Sequence, residues 1–300
     1  MEGDCNHYRA IESARKDVKI SSITELTYDH WKEEFESLLS DLGNKKTIML
    51  FTGGKDSSII LHYLLLASEE FGFSFEVHAA NYPHNVFTNK EKARLNDYWR
   101  KRGVNIVWHS IPESDETIED ALTNGTNPCY ICHNVKRKAL TNFINSVNHN
   151  LKQEIVIIFS YTLWDIVSYS LEYITSSLYA DPNSSSLVQG KSAETRFAET
   201  SQRFYPLIRL AQGLTIFKPL LKYNDYEITH AVENEGIPLS SVECKYMKYR
   251  PKRMMSYFYK NLELRFDYNS VFNFANKVLR LRNIDYYKDL DINQFLETLI

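Results

Sequence analysis

The chain has little cysteine and glycine and no long apolar run, and these shortages narrow the classes of protein to which it can belong. No stretch approaches the roughly 20 consecutive apolar residues that a membrane-spanning helix needs, so we expect no membrane partner. Internal repeats and low-complexity tracts are also missing. The segment from Met1 to His7 is polar and acidic, unlike a secretory signal, which predicts a cytoplasmic protein. With 43% hydrophobic and 24% charged residues, the 300-residue chain has an ordinary globular composition.

An excess of positive charge is missing as well. The chain has 35 Lys and Arg against 38 Asp and Glu, which gives a formal net charge of −3. Proteins that hold RNA mainly through its phosphates usually carry more cations than anions. One local cluster is cationic and is either a phosphate-contacting patch or the solvated side of a helix. It consists of Lys245, Lys248, Arg250, Lys252 and Arg253.

The most informative segment is Phe51–Ser58, which reads FTGGKDSS and lies between two apolar runs. This context predicts a strand, a glycine turn and then a helix. Gly53 and Gly54 let backbone N–H groups approach an anion, and the helix start adds free N–H donors. Lys55 adds a charge, and hydroxyl donors come from Thr52, Ser57 and Ser58. We therefore predict a cradle for a pyrophosphate-sized anion, with a spacing unlike that of a Walker A loop or a GxGxxG fingerprint.

Apolar runs alternate with segments of helical period along most of the chain. This alternation predicts an α/β fold, with a Rossmann-like parallel sheet, helices on both faces and ligands at the carboxyl ends of the strands. The expected strands are Thr47–Phe51, Phe75–Asn81, Asn105–Ser110, Glu154–Phe159 and Thr215–Pro219. The expected helices between them are Ser57–Phe71, Thr88–Arg102, Cys132–Asn148, Leu163–Tyr179 and Asn224–Glu235.

Helical extensions are expected on both sides of this domain. We predict an amphipathic helix within Ile23–Leu42 and two or three aromatic-rich helices after Ser256, which form a helical core or a homodimer face. The segment Asp181–Gln202 is expected to be a mobile loop or lid. The predicted division is residues 1–46, 47–240 and 241–300: an N-terminal extension, the ATP-binding domain and a C-terminal helical region.

Three of the four cysteines form a pattern suited to metal chemistry. Cys129 and Cys132 are spaced as Cys-x-x-Cys, and Cys244 follows much later. Three thiolates suit zinc or an iron–sulfur cluster, although a closed zinc site needs a fourth ligand that neither Cys5 nor His133 obviously supplies. The alternatives are a zinc or redox pair at the first two cysteines and a buried, inert thiol at the third.

The ordered motifs resemble a known family. Thr52–Ser57 resembles the PP-loop, Ser-Gly-Gly-x-Asp-Ser, of the ATP pyrophosphatase (adenine nucleotide alpha hydrolase) superfamily, whose members cleave ATP between the α and β phosphates. A Cys-x-x-Cys opening a helix, the stretch Ile216–Leu220, and a cysteine after Glu235–Pro238 complete the pattern. This order is similar to that of iron–sulfur-dependent tRNA 2-thiocytidine and 2-thiouridine synthetases and of small-molecule thiolases of the 6-thioguanine type.

The resemblance implies roles for further residues. Lys136, four residues after the second cysteine, and Asp165, after the fourth strand, match catalytic positions. Both also have plain interpretations, as a solvated helix lysine and as a carboxylate at a helix start. Ala80 and Asn81 match the segment that holds adenine. The family's Gly-His-Asn before the aspartate is absent here, which leaves substrate handling open.

The implied activity is ATP-dependent sulfur transfer. ATP would bind at the glycine turn with Mg²⁺ on Asp56, and Cys129, Cys132 and Cys244 would hold a 4Fe–4S cluster, with zinc as the weaker alternative. A nucleobase-type carbonyl oxygen would be adenylated and replaced by sulfur from free sulfide or a cysteine desulfurase. The favoured acceptor is a free nucleobase, nucleotide or other small metabolite such as guanine. The alternatives are tRNA, a cluster-dependent desulfidase and a nucleotide-binding module without catalysis.

Overall fold

A six-stranded sheet forms the centre of the chain. The computed structural model describes residues 25–82, 87–111, 115–125, 127–148, 153–178 and 192–298. The strands are β1 Lys46–Phe51, β2 Phe75–Asn81, β3 Ile106–Ser110, β4 Ile155–Ile158, β5 Leu207–Arg209 and β6 Leu214–Phe217. Their order is β3-β2-β1-β4-β6-β5, and the neighbours pair in parallel except β5, which runs antiparallel to β6. The predicted α/β fold is confirmed.

Helices connect the strands and extend the domain at both ends. The first six are α1 Tyr28–Asp41, α2 Lys55–Phe71, α3 Asn89–Arg100, α4 Asp115–Thr123, α5 Pro128–Asn148 and α6 Leu163–Ser176. They are followed by α7 Ala193–Thr200, α8 Asp225–Asn234, α9 Pro251–Asn261, α10 Tyr268–Lys277, α11 Asp285–Lys288 and α12 Ile292–Leu296. Three short 3₁₀ helices span Leu42–Asn44, Ser201–Phe204 and Met247–Tyr249. Among the described helices, none is long and apolar enough to cross a bilayer.

Successive residues of the central strands enter different cores, because helices cover both faces of the sheet. Val156 and Ile158 join the core under α1, α2 and α3, where Trp31 and Trp99 are fully buried. Ile155 and Ile157 of the same strand join a core that also contains side chains of α5 and α12. Every residue of β4 is therefore buried, and only a continuous apolar run fits this position.

The carboxyl-terminal helices bury a third core against α6. Leu163 and Trp164 of α6 pack with Tyr259 of α9 and Ala275 of α10. The ring of Tyr259 meets that of Trp164 edge-on at 5.2 Å, and its hydroxyl lies 3.2 Å from that of Ser168. The expected helical extensions are thus present, and the carboxyl-terminal one covers α6, the helix that follows the central strand β4.

Several boundaries differ from the sequence prediction. The expected lid over Asp181–Gln202 is wrong for its second half, where α7 and a 3₁₀ helix form; residues 181–191 lie outside the described chain. The hydroxyl of Ser192 caps α7 by accepting the N–H of Thr195, and Phe197 is buried against α6. A cap and one buried ring suffice for a helix of eight residues, which is too short to show a clear period.

Other differences have similar causes. Between the expected strand Asn105–Ser110 and the expected helix Cys132–Asn148, where no element was predicted, the chain forms α4. The helix α5 begins earlier than expected, at Pro128, because proline suits the first turn of a helix. Pro251 in the same way starts α9 five residues before the expected Ser256. Four helices rather than two or three follow that point, and the three-residue strand β5 is too short to be predicted from alternation.

Candidate active site

The glycine turn joins β1 to α2 at the carboxyl edge of the sheet. Gly53 has φ +71°, a left-handed conformation that favours glycine, and Gly54 is the N-cap of α2. No side chain caps this helix, so its first N–H groups point to the turn without an internal acceptor. The hydroxyl of Ser57 accepts the N–H of Thr52 at 3.2 Å and lies 3.0 Å from the Thr52 hydroxyl. These hydrogen bonds fix the shape of the turn, and its predicted role as an anion cradle stays a prediction.

The hydroxyl groups of the two serines in the motif differ in their hydrogen bonds. Ser57 also donates to the carbonyl oxygen of Gly54 at 3.0 Å, so its hydroxyl braces the turn from inside. Ser58 is fully buried, and its hydroxyl has no partner among the described atoms. Thr52 is the exposed hydroxyl of the motif. Of the three predicted hydroxyl donors, Thr52 therefore has the freest access to a phosphate.

Lys55 lies in a network of four charges. Its ammonium contacts the carboxylate of Asp56 and lies 2.6 Å from Asp225 Oδ1, whose other oxygen lies 3.3 Å from Lys260 Nζ. Burial lowers the pKa of Lys55, but the two carboxylates outweigh it and the pKa is raised. Burial raises the pKa of Asp225, but the two lysines outweigh it and the pKa is lowered. Asp225 and Lys260 escaped the sequence analysis because only the fold brings them to the turn.

Ala80 and Asn81 lie at the end of β2, on the same edge of the sheet as the glycine turn. In the parallel pairing of β1 with β2, Phe51 lies opposite Ala79, which places the two strand ends side by side. Asn81 Oδ1 accepts the N–H of Phe87 at 2.7 Å, and its carbonyl oxygen accepts the N–H of Ile111 at 3.0 Å. Asn81 thus ties the end of β2 to Phe87 and to Ile111, and the predicted adenine contact stays a prediction.

The three predicted thiols lie on two segments of the chain. Cys129 and Cys132 lie one turn apart on α5, and Cys244 precedes the 3₁₀ helix Met247–Tyr249. Burial, then Cys132 and more weakly Cys244, raise the pKa of the Cys129 thiol to about 11, and burial and Cys244 raise the pKa of Cys132. The charge of Cys244 would therefore act on both other thiols. Asn127 ties the two segments together: its Oδ1 accepts the N–H of Cys129 at 2.9 Å, and its amide donates to the Tyr249 carbonyl at 3.1 Å.

Cations lie beside the thiols. Lys136 hydrogen-bonds Cys132, which works against the rise in its pKa, and Arg250 acts in the same direction on Cys129. Lys136 Nζ also lies 5.1 Å from the centre of the Tyr82 ring. Within the described ranges, no three Cys, His, Asp or Glu side chains are already arranged around one point for a metal ion. The donor types nevertheless fit a thiolate-held group, because neighbouring thiolates repel one another unless a cationic centre binds them.

Asp165 has a structural role in the fold. It lies in the first turn of α6, where its Oδ2 accepts the Thr162 N–H at 2.9 Å and the Thr162 hydroxyl at 3.1 Å. Its other oxygen contacts the ammonium of Lys252. Burial would raise the pKa of Asp165, but Lys252 and the Thr162 N–H outweigh it and the pKa is lowered. Both carboxylate oxygens are therefore occupied by partners that stabilise the anion.

Two buried cations were missed by the sequence analysis. Arg203 follows the stretch expected to be a lid, is 5% exposed, and lies 4.5 Å from the centre of the Tyr169 ring. Lys218, in the stretch that resembles the family, is fully buried and donates to the carbonyls of Gln202 and Tyr205 at 2.8 and 3.0 Å. Burial, with a smaller effect of Arg203, holds the pKa of Lys218 well below its usual value. Lys218 thus fastens the 3₁₀ helix Ser201–Phe204 to the end of β6.

Comparison with known proteins supports the fold. No protein-family model and no curated protein matches the chain. Among solved structures, it is similar to the U34-tRNA thiolase NcsA from Methanococcus maripaludis with its 4Fe–4S cluster, at 14% identity, with 88% of this chain and 87% of that one covered and a TM-score of 0.57. It also matches an NMN synthetase from Francisella tularensis at 9% identity, with 91% of this chain and 92% of that one covered and a TM-score of 0.43. An NAD+ synthetase from Burkholderia pseudomallei matches at 14% identity, with 98% of this chain and 92% of that one covered and a TM-score of 0.42.

The fold of the present chain is the Rossmann-like PP-loop fold with helical extensions, as the sequence motifs implied. The roles of the individual site residues stay predictions, supported by the geometry described above.

The two glycines of the turn provide a matched test of its geometry. We expect Gly53→Ala to destabilise the protein by about 1–3 kcal/mol, because φ is positive and the new Cβ would lie 2.9 Å from Ser240 Cβ. Gly54→Ala should change the free energy of unfolding by less than about 1 kcal/mol, since its φ is −78° and the nearest atom is 3.6 Å away. Urea unfolding measures both. Equal losses in the two variants would contradict this account of the turn.

Proposed function

We propose that the chain is an ATP-dependent, AMP-forming sulfurtransferase that replaces a carbonyl oxygen of a nucleobase-type acceptor by sulfur. The observation that carries this proposal is the connection between the glycine turn and the thiols. The N–H of Ser240 donates to the carbonyl oxygen of Gly53 at 2.7 Å, only four residues before Cys244. An anion cradle and three neighbouring thiols at one sheet edge suit a reaction that uses both ATP and sulfur.

The nucleotide part of the site follows from the turn. The free N–H groups at the start of α2, together with Thr52 and Lys55, would bind the phosphates of ATP. Lys55 would offset the charge of the departing pyrophosphate, with Asp225 keeping its ammonium in place. Asp56 would bind Mg²⁺, which prefers carboxylate and phosphate oxygens. The backbone at Ala80 and Asn81 would contact the adenine.

The proposed reaction has two steps. The acceptor's carbonyl oxygen attacks the α phosphorus, the bond between the α phosphorus and its bridging oxygen breaks, and pyrophosphate leaves. A hydrosulfide ion then attacks the activated carbon; the carbon–oxygen bond breaks and AMP leaves with that oxygen. The proton of hydrosulfide passes to pyrophosphate or solvent. No oxidant or reductant is consumed, because sulfur remains at the sulfide level throughout.

The thiol part of the site would hold the sulfur-handling group. Cys129, Cys132 and Cys244 would be its ligands, and a 4Fe–4S cluster held by three thiolates supplies an iron that can bind sulfur. Lys136, which hydrogen-bonds Cys132, would stabilise negative charge that develops beside the thiolates. Asp165 would act as a positioning residue, because it caps α6 and holds Lys252 at the same edge.

A specific surface favours tRNA as the second candidate acceptor. On α9, Tyr257 and Phe258 are 64% and 55% exposed. Lys248, Arg250 and Arg253 precede the two rings in sequence and form no ion pair with a carboxylate in the described chain. Exposed rings together with cations are typical of surfaces that bind single-stranded nucleic acid. The acidic net charge of the whole chain favours the small acceptor instead.

The cluster proposal predicts metal content and its dependence on one cysteine. Anaerobic reconstitution should give about four irons per chain, and Cys244→Ser should lose them while it still binds ATP, as measured by calorimetry. Cys5→Ser is the matched control and should keep the iron. With a nucleobase acceptor and sulfide, the reconstituted chain should convert ATP to AMP and pyrophosphate. One zinc and no iron, or full turnover by Cys244→Ser, would overturn the proposal.

The two acceptor classes differ in their dependence on salt. If tRNA is the acceptor, the logarithm of its binding constant should fall steeply with the logarithm of salt concentration. Replacing both Tyr257 and Phe258 by Ala should then weaken binding at least tenfold, since each stacked base contributes about 1–3 kcal/mol. Tyr286→Ala, which removes a 47% exposed ring on α11, is the control and should have little effect. Weak, salt-insensitive tRNA binding together with AMP formation from a free base would identify the small acceptor.

A further inference from the structure

The segment Leu239–Val242, which we call the connector, leads from the end of α8 to Cys244 and lies against the glycine turn. Its Ser240 N–H donates to the Gly53 carbonyl oxygen at 2.7 Å, and the Ser240 hydroxyl accepts the N–H of Val242 at 3.1 Å. The approach is as close as glycine allows, since a Cβ on Gly53 would lie 2.9 Å from Ser240 Cβ. The connector cannot shift toward the turn, and its hydrogen bonds together with the packing of Val242 against the core keep it from shifting away.

Two side chains of α3 hold the connector from the other side. Glu91 Oε1 accepts the N–H of Ser241 at 2.8 Å, and Arg94 donates to the carbonyl oxygen of Leu239 at 2.5 Å. The two side chains, three residues apart on one helix face, are joined by bonds of 3.1 and 2.7 Å between guanidinium and carboxylate. Every one of these contacts involves a charged partner, and such hydrogen bonds are stronger than neutral ones.

The Glu91–Arg94 pair has no other evident task. Glu91 is 8% exposed although it is charged, and its carboxylate faces Arg94 and the connector rather than solvent. The hydrogen bond to Arg94 and then the Ser241 N–H lower the pKa of Glu91 to about 2, so the carboxylate is ionised at neutral pH. A buried carboxylate is costly unless it is paired and hydrogen-bonded, so its position here indicates that the connector is its target.

We infer that Glu91 and Arg94 are positioning residues that fix Cys244 relative to the glycine turn, and that nucleotide at the turn and the placement of Cys244 are thereby coupled. The coupling rests on the proposed function, because it takes the turn to be the site for ATP. Only Glu243 separates the connector from Cys244. If Val242 is fixed, the backbone of Cys244 can therefore move only within the length of two residues. If bound ATP changes the placement of Cys244, thermodynamic linkage requires that a change in that placement alters the affinity for ATP.

The test uses the cluster-free full chain and the rate at which iodoacetamide alkylates each cysteine, followed by mass spectrometry. Without nucleotide, Arg94→Gln should raise the alkylation rate of Cys244 several-fold, because the loosened connector uncovers a half-buried thiol. Arg100→Gln is the matched control, since Arg100 forms the same kind of pair with Asp97 on the same helix and does not touch the connector. Arg94 is 43% exposed, so its variant is expected to fold, and Arg94→Lys should restore part of the wild-type rate.

The second arm adds ATP and Mg²⁺, with binding measured by calorimetry in the same samples. In the wild-type chain and in Arg100→Gln, nucleotide should change the Cys244 rate about fivefold or more, and in Arg94→Gln this change should largely disappear while ATP still binds. The Cys5 rate should stay constant throughout. Equal rates in Arg94→Gln and Arg100→Gln, or bound ATP without any effect on Cys244, would overturn the inference. Failure of ATP to bind the wild-type chain would instead overturn the proposed function, and the nucleotide-free comparison would still decide whether Arg94 positions Cys244.

Discussion

One hydrogen bond, from the Ser240 N–H to the Gly53 carbonyl oxygen, joins the two halves of the candidate site. It exists because Gly53 has no side chain and a positive φ, which allow two backbones to meet. The sheet places the turn at its carboxyl edge, and α3 presses the connector against it. The proposed sulfurtransferase activity depends on that contact, because it brings the segment before Cys244 to the glycine turn.

The thiol side of the site combines two buried thiols with two nearby cations that favour their ionised forms. Burial and neighbouring thiols raise the pKa of Cys129 and Cys132, whereas Lys136 and Arg250 oppose that rise. On the phosphate side, the ammonium of Lys55 contacts two carboxylates. The phosphates of ATP would have to compete with these carboxylates or rearrange them. On each side, burial and the neighbouring charges therefore act in opposite directions on the ionisable groups.

The sequence predicted what depends on local pattern. The strand β2 begins and ends where alternation placed it, and the turn between β1 and α2 has the conformation that two glycines demand. Contacts between distant segments could not be predicted: Asp225 beside Lys55 and Arg94 beside Leu239 have no spacing that marks them. Asp165 illustrates a further limit, because a motif match and a helix-capping carboxylate look the same in a sequence, and only the fold shows both of its oxygens occupied.

The most direct measurement is the ³¹P relaxation of a non-hydrolysable ATP analogue bound to the reconstituted chain. A reduced 4Fe–4S cluster is paramagnetic and speeds the relaxation of nuclei close to it. If the three thiols hold a cluster beside the glycine turn, the α phosphorus should relax markedly faster in the reduced wild-type chain than in the Cys244→Ser variant. Equal relaxation rates in the two proteins, with the analogue bound to both, would contradict the account.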